Sequence, residues 1–370
     1  MNNKNMIQNL LTFIPIFLVG LGTIMIYSSS SIFAAERFND SIYFFKKQVV
    51  FAVLGMVCMF VMMNVRYGFY RKIAYPLWLL SIGLLIAVIV PGVGTKVGGA
   101  VRWLRLGPLS FQPSELAKLA LVIVLSYSLS KKDYTKVKHF SIGVLPHLIF
   151  VVPVCLLIML QPDFGTAMML LAILFIILFA AGIPVLYLAL MGMVTGVGGV
   201  VLVYTKGYRM ERVLAFLDPW KNSMDTGFQI VQSFLAFGAG GLYGTGLGKG
   251  TQKLFYLPEP HTDFILSVIG EELGFLGVVL VIGLFAVLIL CGIKIAIHAS
   301  DLFGTYMALG IVILIGLQAA TNMGVVMGLL PTKGTPLPFI SYGGTSLVIN
   351  LVAVGMLLSI LQQCNFMARK

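Results

Sequence analysis

The chain has 370 residues, of which 59% are hydrophobic and 10% are charged. A soluble domain carries about a quarter charged residues, so this composition excludes a soluble protein and indicates one that crosses the bilayer many times. The formal net charge is +12, but the chain has no soluble basic domain to bind nucleic acid, and we expect no nucleic-acid partner.

Apolar helices are the predicted elements along the whole chain. A helix needs about 20 apolar residues to cross a bilayer, and ten segments meet this requirement. We therefore predict an all-α polytopic membrane protein with ten transmembrane helices in a single domain, residues 1–370. The eighth span is long enough to be tilted or broken near Gly270, Gly274 or Gly277. The predicted spans cover residues 10–32, 48–65, 75–92, 115–130, 143–160, 164–182, 184–204, 264–297, 303–330 and 345–362.

The charges in the loops set the predicted orientation. With the N-terminus inside, the short cytoplasmic loops contain most of the lysines and arginines that the positive-inside rule counts. Both termini are then cytoplasmic, and the outer segments are 92–114 and the large extracytoplasmic loop 205–263, between spans seven and eight. The basic residues of the outer side either are solvated loop residues or bind an anionic ligand. They are Lys96, Arg102, Arg105, Lys206, Arg209, Arg212, Lys221, Lys249, Lys253 and Lys333.

The outer loop 92–114 is rich in glycine and proline, which indicates a structured surface or re-entrant loop. Within it, Trp103 lies between Arg102 and Arg105. The tryptophan is either an anchor at the membrane interface or an aromatic platform that stacks on a sugar while the arginines hold its phosphate. The residue types alone leave both interpretations open.

A pair of opposite charges follows at the start of the fourth predicted span. Pro113 suits the first turn of a helix, and Glu115 and Lys118 are three residues apart, so they share one helix face. A lone charge inside a membrane is costly, and we therefore expect an ion pair that faces the bundle and supports a polar cavity. The spacing does not decide between a structural pair and a catalytic one.

The large outer loop contains two distinct patterns. Residues 210–217 place apolar side chains at helical spacing beside Arg209 and Arg212, which predicts a short interfacial helix on the outer leaflet. The glycine-rich stretch 227–250 is not a P-loop, because it lacks the strand–loop–helix context and the GK[ST] ending. It forms either tight turns or a backbone cradle for phosphate.

Acidic residues cluster where the large loop meets the eighth span. Glu259 and His261 precede Asp263, and Glu271 would lie about 12 Å deeper in an ideal helix. Asp263 is either a helix cap or part of a functional site, since carboxylates at such depth usually face a cavity. The pattern suits an enzyme with an outward carboxylate or a transporter with a charged path, whereas an assembly scaffold needs neither.

Motifs spread over the whole chain make it resemble the SEDS family (shape, elongation, division and sporulation proteins), and within it the FtsW/SpoVE branch more than RodA. Their order and spacing carry the resemblance, rather than any single motif. The motifs are TIMIYSSSSIFA (23–34), VRWL (101–104), FQPSELAKLA (111–120), QPDFGTA (161–167), GFQIVQS to GGLYGTGLGKG (227–250), YLPEPHTDFI (256–265), EELGF (271–275) and PLPFISYGGTSL (336–347).

The resemblance implies a peptidoglycan glycosyltransferase that polymerises lipid II on the outer face of the bacterial cytoplasmic membrane, for septal or spore wall synthesis. It also implies a class B penicillin-binding protein as the partner that cross-links the strands, together with other division or elongation proteins. The catalytic aspartate of the family corresponds to Asp263, its outer-loop tryptophan to Trp103, and its polar cavity pair to Glu115 and Lys118.

With that substrate, the chemistry needs one base. The donor leaves as a lipid diphosphate, a good leaving group that needs no acid, in contrast to the two-carboxylate glycosidases. Asp263 would accept the proton of the attacking hydroxyl, while arginines or a divalent cation, Mg or Mn, would neutralise the diphosphate. The residues expected to bind substrate are Trp103, Arg102, Arg105, Arg209, Arg212, His261 and Glu259. The residues expected to support the cavity are Glu115, Lys118, Glu271 and Asp163.

Three other functions stay open. A lipid II flippase would line a headgroup path with Glu115, Lys118 and Glu271, a RodA-like polymerase would act in elongation, and a scaffold would not need Asp263. Asp263 and most loop cations lie on one predicted face, which favours surface chemistry over a path through the membrane.

Overall fold

Apolar helices dominate the protein, whose computed structural model describes residues 3–97, 100–107, 109–205, 207–223, 225, 227–252 and 260–364. The helices are α1 Asn3–Phe38, α2 Tyr43–Asn64, α3 Gly68–Ile89, α4 Pro113–Ser130, α5 Tyr134–Val137, α6 Phe140–Gly143, α7 Leu145–Leu160, α8 Phe164–Ala180, α9 Val185–Tyr204, α10 Gly207–Leu217, α11 Phe228–Gly240, α12 Ile265–His298, α13 Leu302–Val326 and α14 Gly344–Gln362. The strands are β1 Gly94–Val97, β2 Ala100–Leu106 and β3 Leu109–Phe111.

Each of the ten predicted spans corresponds to one of these helices, and the predicted all-α polytopic architecture is confirmed. Within the described part of the chain, eight helices are long and apolar enough to cross a membrane. Helices α7 and α8, with 16 and 17 residues, are shorter than a usual span, so the number of spans stays a prediction. The expected interfacial helix is present as α10, whereas α11 and the small sheet were not predicted.

Helix α4 is enclosed by the rest of the bundle. Nearly every residue from Ser114 to Leu129 is buried, because α3 and α13 pack along α4 and α7, α8 and α14 also contact it. Helix α9 is the opposite case: it exposes apolar side chains over almost its whole surface and buries only Met191. Such a helix faces lipid in a membrane, whereas the polar residues of α4 face protein.

The three strands form an antiparallel sheet in the order β1–β2–β3, in the segment predicted to be a structured loop. Thr95 pairs with Trp103, and Leu104 pairs with Phe111. The Thr345 hydroxyl donates to the carbonyl of Ser110 at 3.1 Å, which joins β3 to the start of α14. We refer to this end of the bundle as the sheet end.

Both chain termini that the structure describes lie together at the opposite end. The Lys4 ammonium donates to the carbonyl of Gln362 at 2.8 Å, and the Ser359 hydroxyl donates to the carbonyl of Val65. These contacts bring the start of α1 and the ends of α2 and α14 to one place, which we refer to as the terminal end. Termini on the same side agree with an even number of spans.

Helix α12 is broken at Gly274, one of the three predicted positions. Gly274 has φ 71° and ψ −166°, and the freed backbone pairs with the glycine-rich loop, residues 241–252. Thr245 N donates to the carbonyl of Glu271 at 2.9 Å, and Phe275 N donates to the carbonyl of Gly241 at 2.9 Å. The break is therefore compensated by backbone hydrogen bonds, as a membrane-embedded chain requires.

We expect Gly274→Ala to destabilise the protein. The backbone at Gly274 is left-handed, and an added Cβ would overlap the amide nitrogen of Gly244. Strain of this kind costs about 1–3 kcal/mol, which a thermal unfolding experiment in detergent will register as a lower midpoint. Gly283→Ala, in the same helix with nothing within 4 Å of the added atom, is the matched control. An equal decrease for both variants would contradict this explanation.

Candidate active site at the sheet end

A cavity of about 580 Å³ lies between α8, α9, α10, α13 and the segment that follows α13. One part of its wall is apolar and includes Met168, Val203 and Leu317. Among the described residues that line it, the charged side chains comprise four cations and one acid. They are Arg102, Arg209, Arg212, Lys333 and Asp163. The cavity thus combines a cationic region with an apolar one.

Arg102 and Asp163 are held at the start of α8. The Arg102 guanidinium donates to the carbonyl of Gln161 at 2.9 Å and to that of Pro162 at 2.6 Å. Asp163 is the N-cap residue of α8, where its carboxylate accepts hydrogen bonds from the amide and hydroxyl of Thr166 at 3.0 and 2.9 Å. The structure places both predicted site residues in the cavity wall in fixed orientations.

Arg209 and Arg212 reach the cavity from the interfacial helix α10. Their spacing of three residues puts them on one helix face. Arg209 donates to the carbonyl of Leu202 at 2.7 Å, and its guanidinium lies 5.2 Å from the ring centre of Phe164. Arg212 donates to the carbonyl of Thr332 at 3.4 Å. The helix therefore presents both arginines to the cavity, as the substrate-binding prediction requires.

Lys333, one of the outer cations predicted either to be solvated or to bind an anionic ligand, lines the cavity. Its side chain crosses the first turn of α8 at Gly165, where any Cβ would overlap it. Burial lowers the pKa of Lys333 to about 8, while the neighbouring Asp163 acts in the opposite direction.

Asp263 borders the cationic part of the cavity. A Cβ on Gly334, which lines the cavity, would lie 2.7 Å from the Asp263 Oδ2 atom. The residue is half-buried, and the N-cap position of α12 belongs to Phe264. The structure thus places the Asp263 carboxylate in contact with Gly334 of the cavity wall, and its catalytic role stays a prediction.

Trp103 and Arg105 do not line the cavity. Successive side chains of a strand point to opposite faces, and Arg102, which lines the cavity, alternates with Trp103 along β2. Leu104 is buried on the same face as Arg102, whereas Trp103 is half-buried and Arg105 is exposed. The structure corrects the expectation that the tryptophan and both arginines share one site, and substrate contacts of Trp103 and Arg105 stay a prediction.

His261 also lies away from the residues that line the cavity. Its ring packs among the aromatic rings of Phe33, Phe44 and Tyr342, with centroids 4.5–6.1 Å apart. Burial lowers the pKa of His261 to about 4, so the ring is neutral at pH 7. Its role in substrate binding stays a prediction. Glu259, Lys206 and Lys253 lie outside the described residues.

Glu271 and its neighbour Glu272 hold the glycine-rich loop. The Glu271 carboxylate accepts hydrogen bonds from the amides of Thr251 and Gln252 at 2.6 and 3.1 Å. Glu272 accepts from the Ser28 hydroxyl at 2.7 Å and from a loop amide at 3.1 Å. Support of the cavity by Glu271 stays a prediction. The contacts weaken the phosphate-cradle interpretation, because protein carboxylates already accept hydrogen bonds from these loop amides.

The predicted ion pair between Glu115 and Lys118 is present, with 2.8 Å between the carboxylate and the ammonium and both side chains buried. Lys118 Nζ lies 3.5 Å from Gln318 Oε1 on α13, and the amide of Gln318 donates to the Ser346 hydroxyl on α14 at 3.1 Å. The pair is close enough to Lys333 to influence its pKa. It thus links three helices beside the cationic part of the cavity.

Comparison with known proteins identifies the family. The FtsW/RodA/SpoVE profile, described as "Cell cycle protein", matches residues 8–365. The chain belongs to this family. A relative from Geobacter sp. (strain M18), named "Probable peptidoglycan glycosyltransferase FtsW", is 50% identical over 345 residues, which are 93% of this chain and 94% of the relative. Stage V sporulation protein E of Bacillus subtilis (strain 168) is 43% identical over 351 residues, 95% of this chain and 96% of that protein.

Solved structures of the family have the same fold. The rod shape determining protein RodA of Thermus thermophilus superimposes with a TM-score of 0.70 at 30% identity, over 95% of both chains. A chain of a peptidoglycan synthase complex, described for its coordination of polymerization and crosslinking, superimposes with a TM-score of 0.77 at 31% identity, over 95% of this chain and 96% of that one. The resemblance to the SEDS family, and to its FtsW/SpoVE branch, is confirmed.

Three of the motifs that carry the resemblance meet at the cavity of this family member. QPDFGTA contributes Asp163 and Gly165 to its lining, VRWL contributes Arg102, and YLPEPHTDFI places Asp263 against Gly334 of the wall. EELGF instead organises the glycine-rich loop. The motifs therefore divide into those that form the site and those that support a neighbouring segment.

Proposed function

We propose that this chain polymerises lipid II on the outer face of the bacterial cytoplasmic membrane, with Asp263 as the general base. The chain is a peptidoglycan glycosyltransferase, since relatives with that name are about 50% identical to it over nearly its whole length. The observation that carries the finer proposal is the cavity itself, which four cations line, together with the contact of the Asp263 carboxylate with Gly334 of the cavity wall.

The cationic part of the cavity suits the diphosphate of the donor. Negative charge develops on the diphosphate as the bond to the sugar breaks, and positive groups fixed around it lower the barrier. Arg102 is oriented for this by two backbone carbonyls, and Lys333 carries a proton at pH 7 because its pKa is about 8. The apolar wall beside them suits the lipid chain of the same substrate.

Asp263 would act on the acceptor. Its carboxylate accepts the proton of the 4-hydroxyl as that oxygen forms a bond to the anomeric carbon of the donor, with inversion. The bond from that carbon to the diphosphate breaks, and its electron pair leaves with the lipid diphosphate. A general base of this kind contributes roughly 10²–10⁴-fold, and no acid is required.

A divalent cation fits this site together with the substrate. Among the residues described, no group of three or more His, Cys, Asp and Glu is arranged to hold a metal ion. Mg²⁺ is commonly held by one or two carboxylates and substrate phosphates, and Asp163 in the cavity wall is the residue that would serve. When bound, the ion would supply neutralising charge for the diphosphate.

A class B penicillin-binding protein is the partner that we propose. A structural relative belongs to a synthase complex that coordinates polymerization and crosslinking, and a polymerase of this fold needs such a partner for the second reaction. We further propose that both termini are cytoplasmic, since they lie together at the terminal end and the positive-inside rule favours this orientation. Similarity to FtsW and SpoVE supports a role in septal or spore wall synthesis.

The observed contacts do not favour the flippase alternative. The proposed headgroup path needed Glu271 together with Glu115 and Lys118, but the Glu271 Oε1 atom already accepts hydrogen bonds from amides of the glycine-rich loop, and the Oε2 atom is buried. Polymerisation of lipid II by the purified full chain, with and without its partner and with and without a chelator, tests the proposal. Absence of glycan strands under all conditions would contradict it.

The pH dependence of donor binding should reflect Lys333. With a pKa of about 8, the ammonium is mostly charged at pH 7 and mostly neutral at pH 9, so positive charge is lost as the pH rises. We expect KM for lipid II to rise several-fold across this range in the wild type. Lys333→Met should have a high KM already at pH 7 and lose this dependence, whereas Lys221→Met, an exposed cation outside the cavity, should behave as wild type. A pH response retained in Lys333→Met would exclude Lys333 as its source.

A further inference from the structure

The backbone that leads into Asp263 is fixed at three consecutive carbonyls. The carbonyl of His261 accepts a hydrogen bond from Tyr342 N at 2.9 Å, and that of Thr262 accepts one from the Ser341 hydroxyl at 2.5 Å. The carbonyl of Asp263 accepts one from the side-chain amide of Asn322 at 2.8 Å. This short segment lies outside any regular helix or strand, and these contacts help to hold it in place.

Asn322 is the member of this set that joins three parts of the protein. It lies on α13, one turn before the end of that helix, and is buried. The same Nδ2 atom also donates to the carbonyl of Thr335 at 2.7 Å. Thr335 follows Gly334, the residue against which the Asp263 carboxylate lies. One amide group therefore connects the backbone of Asp263 to the segment that its side chain contacts.

The chemistry of this contact requires asparagine. Two carbonyls need two N–H donors on one short side chain, which an amide supplies, while serine has one donor and an ionised aspartate has none. The Asn322 Oδ1 atom is buried and has no hydrogen-bond partner among the described residues. A buried polar atom without a partner is unfavourable. The two hydrogen bonds that the Nδ2 group donates, rather than any contact of Oδ1, therefore account for an asparagine at this position.

We propose that Asn322 is a positioning residue for Asp263. It holds the backbone of the base and the 334–335 segment at a fixed separation, so that the carboxylate stays at the edge of the cationic cavity. Asn322 does not itself line this cavity, and we expect its loss to affect the reaction step more than lipid II binding. This inference rests on the proposed role of Asp263.

The test compares Asn322→Asp and Asn322→Ser in the purified full chain with lipid II as substrate. Asn322→Asp keeps the shape and removes both donors, and Asn322→Ser keeps one. Because a displacement of about 1 Å at a reacting group can cost 10²-fold, we expect kcat to fall about 10²-fold in Asn322→Asp and less in Asn322→Ser, with KM unchanged in both. Wild-type kcat in Asn322→Asp, or a raised KM with normal kcat, would overturn the proposal.

Ser359→Ala is the matched control, because it removes a buried hydrogen bond to a carbonyl at the terminal end of the bundle. It should lower the unfolding temperature without changing kcat. Hydrogen exchange provides a readout that needs no activity: amides of residues 337–342 should exchange faster in Asn322→Ser than in the wild type, and unchanged exchange would refute the positioning role. If the wild type makes no glycan, the proposed function fails, whereas the exchange result still tests Asn322.

Discussion

Asp263→Asn protein is expected to fold and to polymerise lipid II about 10²–10⁴-fold more slowly than the wild type. The Asp263 carboxylate lies against Gly334 at the edge of the cationic cavity, where it can accept the proton of an attacking hydroxyl. The side-chain amide of the variant has the same shape but cannot accept that proton. The measurement is the rate of glycan strand formation by purified protein with its partner, together with the unfolding temperature of each sample.

Asp218→Asn is the control for this substitution. Asp218 is an exposed acid in the same large loop as Asp263, and its replacement makes the same chemical change outside the cavity. We expect wild-type rates for Asp218→Asn. Full glycan synthesis by Asp263→Asn would rule out Asp263 as the base and leave the cavity as a binding site whose chemistry lies elsewhere.

Lys118→Met is expected to cause the largest loss of stability, about 3–5 kcal/mol. The substitution leaves the Glu115 carboxylate buried in α4 without the ammonium that lies 2.8 Å away. The Glu115→Gln and Lys118→Met changes combined remove both charges and should restore most of the stability. Thermal unfolding of the single and double variants in detergent measures the difference.

Glycan synthesis by the double variant then separates the two interpretations of the pair. If the pair supports the cavity, the folded double variant should retain activity within about tenfold of the wild type. A double variant that unfolds like the wild type but forms no glycan would instead show that Glu115 or Lys118 takes part in the reaction. Neither outcome depends on how the single variants behave.

Local patterns were sufficient to predict several parts of this protein. The spacing of three residues predicted the contact between Glu115 and Lys118, and the period of residues 210–217 predicted helix α10 with its two arginines. Glycines at 270, 274 and 277 predicted that α12 is tilted or broken near one of them, and the break lies at Gly274. The ion pair and α10 join residues close in sequence, so helical geometry is sufficient to predict them.

Other features depend on contacts between distant segments, which no local pattern contains. The glycine and proline content of residues 92–114 predicted a loop, whereas the segment forms a sheet. Without a predicted strand, the sequence could not show that Trp103 and Arg102 point to opposite faces. The contacts of Glu271 come from the amides of Thr251 and Gln252, about 20 residues away in the sequence, so no local pattern predicted them. Lys333 and Asn322 reach the site only because the segment after α13 folds back against Asp263.

The break in α12 divides the helix into two parts that are held differently. Residues 275–298 rise about 36 Å at 1.5 Å per residue, enough to span the hydrocarbon core and to tilt when a membrane is thinner or thicker. Residues 265–273 are instead tied to the glycine-rich loop by backbone and carboxylate hydrogen bonds. We therefore expect a change in bilayer thickness to tilt residues 275–298 about Gly274 more than it displaces Asp263.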